Sequence, residues 1–402
     1  MKGTFLPTST GSGPSSSLRV HGTLPSFDFQ PLGRIIFEPG GLTRLGEIAR
    51  SLGGSRVLLV TDPGLAIAGH PQRAERSILD AGLEVFTFDG VKENPTEREV
   101  TAGVQFARYH GIDLIVAVGG GSSMDCAKGI NFILTNGGRM PDYKGFGKAT
   151  KPMLPSIGVP TTSGTGSEAQ CYALITDESS HMKMACGDKK AAFRVAILDP
   201  EVTLSQPRSV TAVTGVDALA HAVESFVCTK RNPISSAASL TAWRYLEPNF
   251  ARVLTEPSDL NARSAMLLGS HFAGMAIENA MLGVCHSCAN PLTAHYGITH
   301  GTAIGMMLPH VIRYNAPAAE HLYAELVGET GLANGEPASE ILAQRIAELV
   351  RIAGLPGSLK ECGVSQSIFP LLAEEANQQW TARFNPRPVT DGDILRIYQA
   401  AW

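Results

Sequence analysis

The residues best suited to chemistry crowd into one stretch, Val284–His300, VCHSCANPLTAHYGITH, with two cysteines, three histidines and an asparagine. Thiols and imidazoles bind zinc-like metals, and a CxxC pair invites a zinc or redox reading. A structural zinc needs two more soft ligands at suitable spacing, and the sequence supplies none. A redox CxxC belongs at a helix N-terminus in a thioredoxin-like βαβ unit, whereas this pair falls in a helical region. Cys285 and Cys288 are therefore read as small buried hydrophobes, which leaves the histidines. Upstream, GVDALAHAVES at 215–225 sets Asp217 and His221 four residues apart. On an amphipathic helix they share one face, a turn apart, and can chelate one ion. One carboxylate with imidazoles suits Fe(II), Zn or Mn. A lone D-x-x-x-H can equally be a surface pair, so two further ligands are needed, and Val284–His300 is the densest source.

A second set of residues suits an anionic nucleotide. The apolar run Ile115–Val118 ends in Gly119, Gly120, Gly121 and Ser122, followed by a helical SMDCAKGINFILTN. Glycines let a backbone approach a phosphate, and the free N–H groups of the helix start point at it. The spacing is not G-x-G-x-x-G, so this is a variant phosphate loop or simply a tight turn. Asp62 ends the run VLLVTD, where an acid can accept from an adenosine ribose and repel a 2′-phosphate, favouring NAD over NADP; it can also cap the DPG turn. PTTSGTGSE at 160–168 offers hydroxyls and pliant backbone able to wrap a diphosphate or nicotinamide.

The elements that must hold these groups follow from periodicity. FDFQPLGRIIFEPG reads as a strand pair; SRVLLVTD, EVFTFDG and DLIVAVGGG read as strands, with helices between them. Near-continuous apolar strands alternating with helices predict a parallel sheet covered on both faces, an α/β domain over residues 27–207. Beyond it apolar residues recur at helical spacing, predicting an all-helical domain over 208–402. Residues 1–26 are rich in Ser, Gly, Thr and Pro with no acid. They lack the apolar core of a signal peptide and read as a flexible tail, although a transit peptide shares part of that composition.

The chain is 44% hydrophobic and 17% charged, with a formal charge of -4, which offers no electrostatic case for nucleic acid or an anionic membrane. Seven cysteines, an odd number thinly spread, point to a reducing, cytoplasmic compartment.

These pieces together resemble the iron-dependent (group III) alcohol dehydrogenase family from about Phe27 to Trp402. The resemblance rests on VTD at 60–62, NPT at 94–96, GGGSSMDCAKG at 119–129, PTTSGTGSE at 160–168 and ILDPEVTLSQP at 197–207. It continues through GVDALAHAVES at 215–225, ITHGTAIGMMLPHVIRYN at 298–315 and NPRP at 385–388. It implies a Rossmann-like α/β domain and an all-α domain, a fold shared with dehydroquinate synthase, with NAD(P) and a metal in the cleft between. The metal, usually Fe(II) with Zn possible, would be held by Asp217, His221, His286 and His300. Cofactor contacts would include Asp62, Asn94, Gly119, Gly120, Gly121, Ser122, Asp125, Thr161, Thr162, Thr165 and Lys183. The implied reaction is hydride transfer between NAD(H) and a small alcohol or aldehyde, by a homodimer or higher homo-oligomer.

One position departs from the pattern: Asn290 stands where many members carry a further histidine. An amide can orient a substrate oxygen but cannot titrate near neutral pH, so Asn290 is expected to contact substrate, or equally to be a plain polar contact, rather than to relay protons. His295 is the substitute relay candidate, against a surface or packing role, and His310 is expected to pack or make a buried hydrogen bond. The rival readings are a metal-independent maleylacetate-type keto-acid reductase, a dehydroquinate-synthase-like lyase, and a non-enzymatic scaffold.

Overall fold

The computed structural model describes residues 26–178 and 183–402; apart from Ser26, the expected tail of residues 1–26 lies outside the described residues. Among the described residues nine strands form: β1 (Arg34–Phe37), β2 (Arg56–Val60), β3 (Glu84–Phe88), β4 (Leu114–Gly119), β5 (Gly145–Phe146), β6 (Ser156–Pro160), β7 (Tyr172–Thr176), β8 (Lys183–Gly187) and β9 (Val195–Leu198). Six of them make a fully parallel sheet in the order β1-β9-β6-β4-β2-β3. Every residue of β4, β6 and β9 is buried, as expected for strands covered on both faces. The helices between these strands are α1 (Leu45–Ser51), α2 (Pro63–Ala68), α3 (His70–Asp80), α4 (Glu97–His110) and α5 (Gly121–Asn136), of which all but the exposed α2 bury residues. Their ends are written in the sequence: α4 starts on a Thr96–Glu99 capping box and stops at Gly111, whose φ of 58° suits glycine.

The predicted pairing within FDFQPLGRIIFEPG does not form. Only Arg34–Phe37 is a strand, and it pairs in parallel with β9, which supplies the hydrogen bonds a hairpin partner would have given. A small second sheet, β5-β8-β7, was not anticipated; its short strands carry little apolar periodicity.

From Arg208 onward the described residues contain helices and no strand: α6 (Arg208–Val227), α7 (Pro233–Thr255), α8 (Leu260–Asn279), α9 (Val284–Tyr296), α10 (His300–Glu329), α11 (Ala338–Ala353), α12 (Phe369–Gln378) and α13 (Asp391–Ala400). The amphipathic reading of α6 needs correction. It is buried on all sides from Gly215 to Val227, because α7, α8, α10 and α11 surround it. By length and composition α6 could cross a membrane, yet 83% of its apolar window is buried inside the protein. Polar side chains on such a helix must find partners inside the fold, which directs attention to Asp217, His221 and Glu224.

The two regions meet closely along α8. A Cβ at Gly166 would lie 2.6 Å from the Gly274 Cα, so loop and helix touch backbone to backbone. His271 of α8 pairs with Glu168 at 3.0 Å, both buried.

Candidate metal centre and nucleotide cleft

Asp217 and His221 come from successive turns of α6, His286 from the first turn of α9, and His300 from the first residue of α10. Their atoms converge. The Nε2 atoms of His221 and His286 each lie 3.4 Å from Asp217 Oδ1, and His300 Nε2 lies 3.7 Å from it. The His221 and His286 rings stack at 4.9 Å. Asp217, His221 and His286 are almost wholly buried, while the His300 side chain keeps 25% exposure.

The spacing of Asp217, His221 and His286, whose donor atoms all lie within 4.8 Å of one another, fits a metal, and His300 stands just outside that compact group. Donors about 2.1 Å from an ion in a tetrahedron stand about 3.4 Å from one another. Asp217 Oδ1 and His286 Nε2 are buried with no hydrogen-bond partner, which is costly unless something else satisfies them. The charge states agree. Burial holds His221 down at about 4 and His300 at about 3, so both imidazoles are neutral at pH 7. Burial alone would raise the Asp217 carboxyl, yet His221, His286 and His300 hold it well below the usual carboxylate range. His286 moves the other way: burial opposes its charge, but Glu224 and Asp217 on either side lift it to about 9. The site attracts positive charge, which a divalent ion would supply in place of that proton.

Glu224 is the residue sequence reasoning missed. It is 3% exposed, accepts from the Cys285 N–H at 2.8 Å and makes a very short contact with His286 Nδ1. Holding Nδ1 fixes the ring and turns Nε2 toward Asp217, as the outer partners of metal-bound histidines do. Its position seven residues after Asp217, two turns along the same helix face, was the available clue. Asn385 of NPRP has a related task, its Oδ1 accepting from the Val284 N–H at 3.3 Å at the start of α9.

Asn290 lies one turn after His286 on α9 and donates to Gln379 Oε1 at 3.3 Å. His295, nine residues after His286, lies half a turn around the helix and pairs with Glu375 at 2.8 Å in an exposed position, so it is a surface histidine. His310 is half-buried and lowered by burial. Cys285 and Cys288 are buried free thiols that burial pushes far above the usual thiol range, without the thiolate that metal or redox chemistry needs.

The residues expected to contact a nucleotide gather at the topological switch point. β2 is flanked by β3 on one side and β4 on the other, so the crevice beyond their carboxyl ends is where such sheets bind ligands. Gly120 is the N-cap of α5 and no described side chain caps it, leaving first-turn N–H groups for an anion. The 160–168 loop presses on these glycines: a Cβ at Gly121 would lie 2.7 Å from Thr165 Cγ2, and one at Gly120 would lie 3.3 Å from Thr162. Thr161 is buried, its N–H donating to Gly119 O at 3.0 Å. Asp62 caps α2 through the Leu65 N–H at 3.3 Å, and Ser123 Oγ lies 3.4 Å from its other oxygen, so it is both a capping acid and a residue of the crevice. Asn94, at a positive φ of 52°, donates its N–H to Ser122 Oγ at 3.3 Å. Lys183 is exposed at the start of β8 and acts electrostatically on both Asp125 and His300.

Asp125 turns inward instead. It accepts from Ser167 Oγ at 2.7 Å and lies 3.8 Å from the buried ammonium of Lys128. Lys128, also missed, donates to Ser167 O, Ser167 Oγ and Tyr172 O at 2.7–2.8 Å, tying the C-terminal end of the threonine loop and the start of β7 to α5.

Comparison with known proteins gives a consistent picture. The family model for iron-containing alcohol dehydrogenase matches residues 33–200, and that for the Fe-containing alcohol dehydrogenase family, C-terminal, matches 211–402. The chain is 36% identical over 383 residues to 1,3-propanediol dehydrogenase of Citrobacter freundii, covering 94% of this chain and 99% of that protein. It is 33% identical over 367 residues to the NAD-dependent methanol dehydrogenase of Bacillus methanolicus, covering 90% and 96%. A crystal structure of 1,3-propanediol oxidoreductase superposes with a TM-score of 0.91 at 35% identity, covering 94% of this chain and all of that one.

Proposed function

The chain belongs to the iron-containing alcohol dehydrogenase family, and on that premise we propose that it interconverts small aldehydes and primary alcohols using NAD(H) and one divalent ion, Fe(II) or Zn. The observation that carries this reading is the grouping of the Asp217, His221 and His286 donor atoms within 4.8 Å of one another about the unpartnered Asp217 Oδ1, with His300 Nε2 3.7 Å from that oxygen. It disfavours a metal-independent keto-acid reductase, for which four such residues would have no task.

Asp217, His221, His286 and His300 would hold the ion, with Glu224 orienting His286. Gly119, Gly120, Gly121, Ser122, Thr161, Thr162 and Thr165 would cradle the diphosphate and nicotinamide, Asn94 and Lys183 would stand beside them, and Asp62 would accept from the ribose. Asp125 would act indirectly, by fixing the loop. When bound, the ion supplies Lewis acidity to the substrate oxygen and nicotinamide supplies or accepts the hydride. The chain's own work is to hold the two domains so that cofactor and substrate carbon stand close and aligned. Asn290 would contact the substrate through its amide and, with Gln379, would orient the substrate oxygen without taking up the alcohol proton, since neither amide titrates.

Ile35 and Phe37 are exposed on edge strand β1, which supports a homodimer joined there. Seven unpaired cysteines support a reducing, cytoplasmic location. The test is NADH oxidation with a panel of aldehydes and keto acids, before and after chelation and after Fe(II) or Zn add-back. Aldehyde activity that disappears and returns is expected; keto-acid activity indifferent to chelation would refute the reading. A clear preference for NADPH would refute the role of Asp62.

A further inference from the structure

Four aromatic rings form a continuous chain between the two domains. Phe146 of β5 packs on Tyr172 of β7 at 5.8 Å, Tyr172 on Trp380 at 6.0 Å, and Trp380 on Phe384 at 6.3 Å. Phe146 is 54% exposed and Trp380 40% exposed, so these are surface rings rather than core. Exposed aromatics in mutual contact, bridging two domains, are not explained by folding alone.

Their anchors tie them to the proposed reaction site. Trp380 sits between two residues that bond to the His286 helix: Gln379 accepts from Asn290, and Thr381 Oγ1 lies 2.7 Å from Ser287 Oγ. Across the cleft, the Tyr172 carbonyl is held at 2.8 Å by Lys128, which also holds Ser167 at the end of the threonine loop. The Phe146 strand is pinned beside Tyr172, the Gly147 N–H donating to Gly187 O at 2.8 Å while Gly187 pairs with Tyr172. The rings thus run from the nucleotide loop to the metal helix. Beside Trp380, Gln379 and its partner Asn290 are neutral amides, while the charges near the chain stand at other rings, Lys230 over Phe384 at 4.4 Å and Glu278 acting on Tyr172.

We propose that Phe146, Tyr172 and Trp380 are specificity-determining residues that wall the substrate pocket. They select aldehydes and primary alcohols bearing an aromatic or extended apolar group over short ones. This rests on the reading of the chain as a metal-dependent alcohol dehydrogenase. Aromatic faces reward an apolar or aromatic group with contact area and offset stacking, and neutral amides leave an uncharged substrate without a desolvated charge beside it. A short aldehyde reaches the same metal and nicotinamide but leaves this wall unused. Contacts of this kind discriminate by about ten-fold or more in kcat/KM.

The experiment compares benzaldehyde with acetaldehyde, using NADH and the metal-loaded full chain. The wild type is expected to favour benzaldehyde by about ten-fold or more. In Trp380→Ala the benzaldehyde-to-acetaldehyde ratio should fall by about that factor, carried by KM, whereas Trp380→Phe should retain most of it. A wild type without the preference, or a ratio that Trp380→Ala leaves within about two-fold, overturns the proposal. A purely structural role would lower both substrates together. A second readout needs no turnover: benzyl alcohol binding should perturb tryptophan fluorescence in the wild type and not in Trp380→Phe, in which Trp243 is wholly buried and Trp402 is tied at the C-terminus by its indole N–H to Val364 O at 2.9 Å. If no aldehyde is reduced, the dehydrogenase reading fails, and the fluorescence titration still decides whether the wall binds aromatic ligands.

Discussion

Replacing Glu224 with Gln removes one charge from beneath the metal centre while keeping the side chain's volume. The carboxylate serves two donors, the His286 Nδ1–H and the Cys285 N–H. A glutamine has one carbonyl oxygen and one NH2 group, so it can satisfy only one of them. If it keeps the backbone N–H, its NH2 faces Nδ1, the imidazole takes the other tautomer, and the proton moves to Nε2, the atom that must face the ion. If it keeps His286, the buried Cys285 N–H is stranded. Either way one hydrogen bond to a charged group is lost, worth about 1.5–3 kcal/mol, or roughly 10- to 150-fold in affinity for the ion. This matches the roughly 10–100-fold seen when outer partners of metal-bound histidines are removed. Competition for Zn against a chromophoric chelator measures it directly, with circular dichroism confirming that the metal-free variant is folded. An affinity within about two-fold of wild type would refute the reasoning that Glu224 sets the His286 tautomer.

Other consequences follow from the same geometry. Lys128→Met strands three acceptors and leaves Asp125 without its cation, so urea unfolding should show a loss of roughly 3–5 kcal/mol. Gly121→Ala drives a methyl to 2.7 Å from Thr165 Cγ2, and NADH KM should rise by about ten-fold or more while ion binding is kept. Asp113 receives the N–H groups of Ser55 and Arg56 at 2.9–3.1 Å. Burial would raise its carboxyl, but these donors and the Ser55 hydroxyl hold it low. A lowered folded pKa gives stability that is present above the unfolded pKa of about 3.9 and lost as pH falls through the folded value. The Tm gap between wild type and Asp113→Asn should therefore be full at pH 7 and close in acid.

Much of the fold was legible because its strands are unusually uniform: β4 is apolar throughout, as a strand buried on both faces requires. The β1 region misled because a short alternating run looks the same whether its partner is the next segment or β9, some 160 residues away. Asp217 and His221 announced themselves by helical spacing, whereas His286 and His300 needed family resemblance, since nothing local says which histidine turns inward. Glu224 and Lys128 went unnoticed because a charge on a helix is ordinarily a solvated one. Only the three-dimensional packing, which buries α6 and the end of the threonine loop, makes those charges informative. The same packing divides the stretch from Val284 to His300 between the buried imidazole of His286, the polar contact of Asn290 and the surface pair of His295.

The central claim is that one divalent ion, held by Asp217 and three histidines, is required for turnover. The most direct test titrates metal-free protein with Fe(II) under anaerobic conditions, or with Zn, and follows NADH oxidation with aldehyde at each addition. The rate should rise in proportion to bound metal, level off at one ion per chain, and stay at baseline in Asp217→Asn, whose remaining ligands lack the shared carboxylate oxygen. Full activity in metal-free protein, or metal-dependent activity that survives Asp217→Asn at the wild-type rate and affinity, would contradict it.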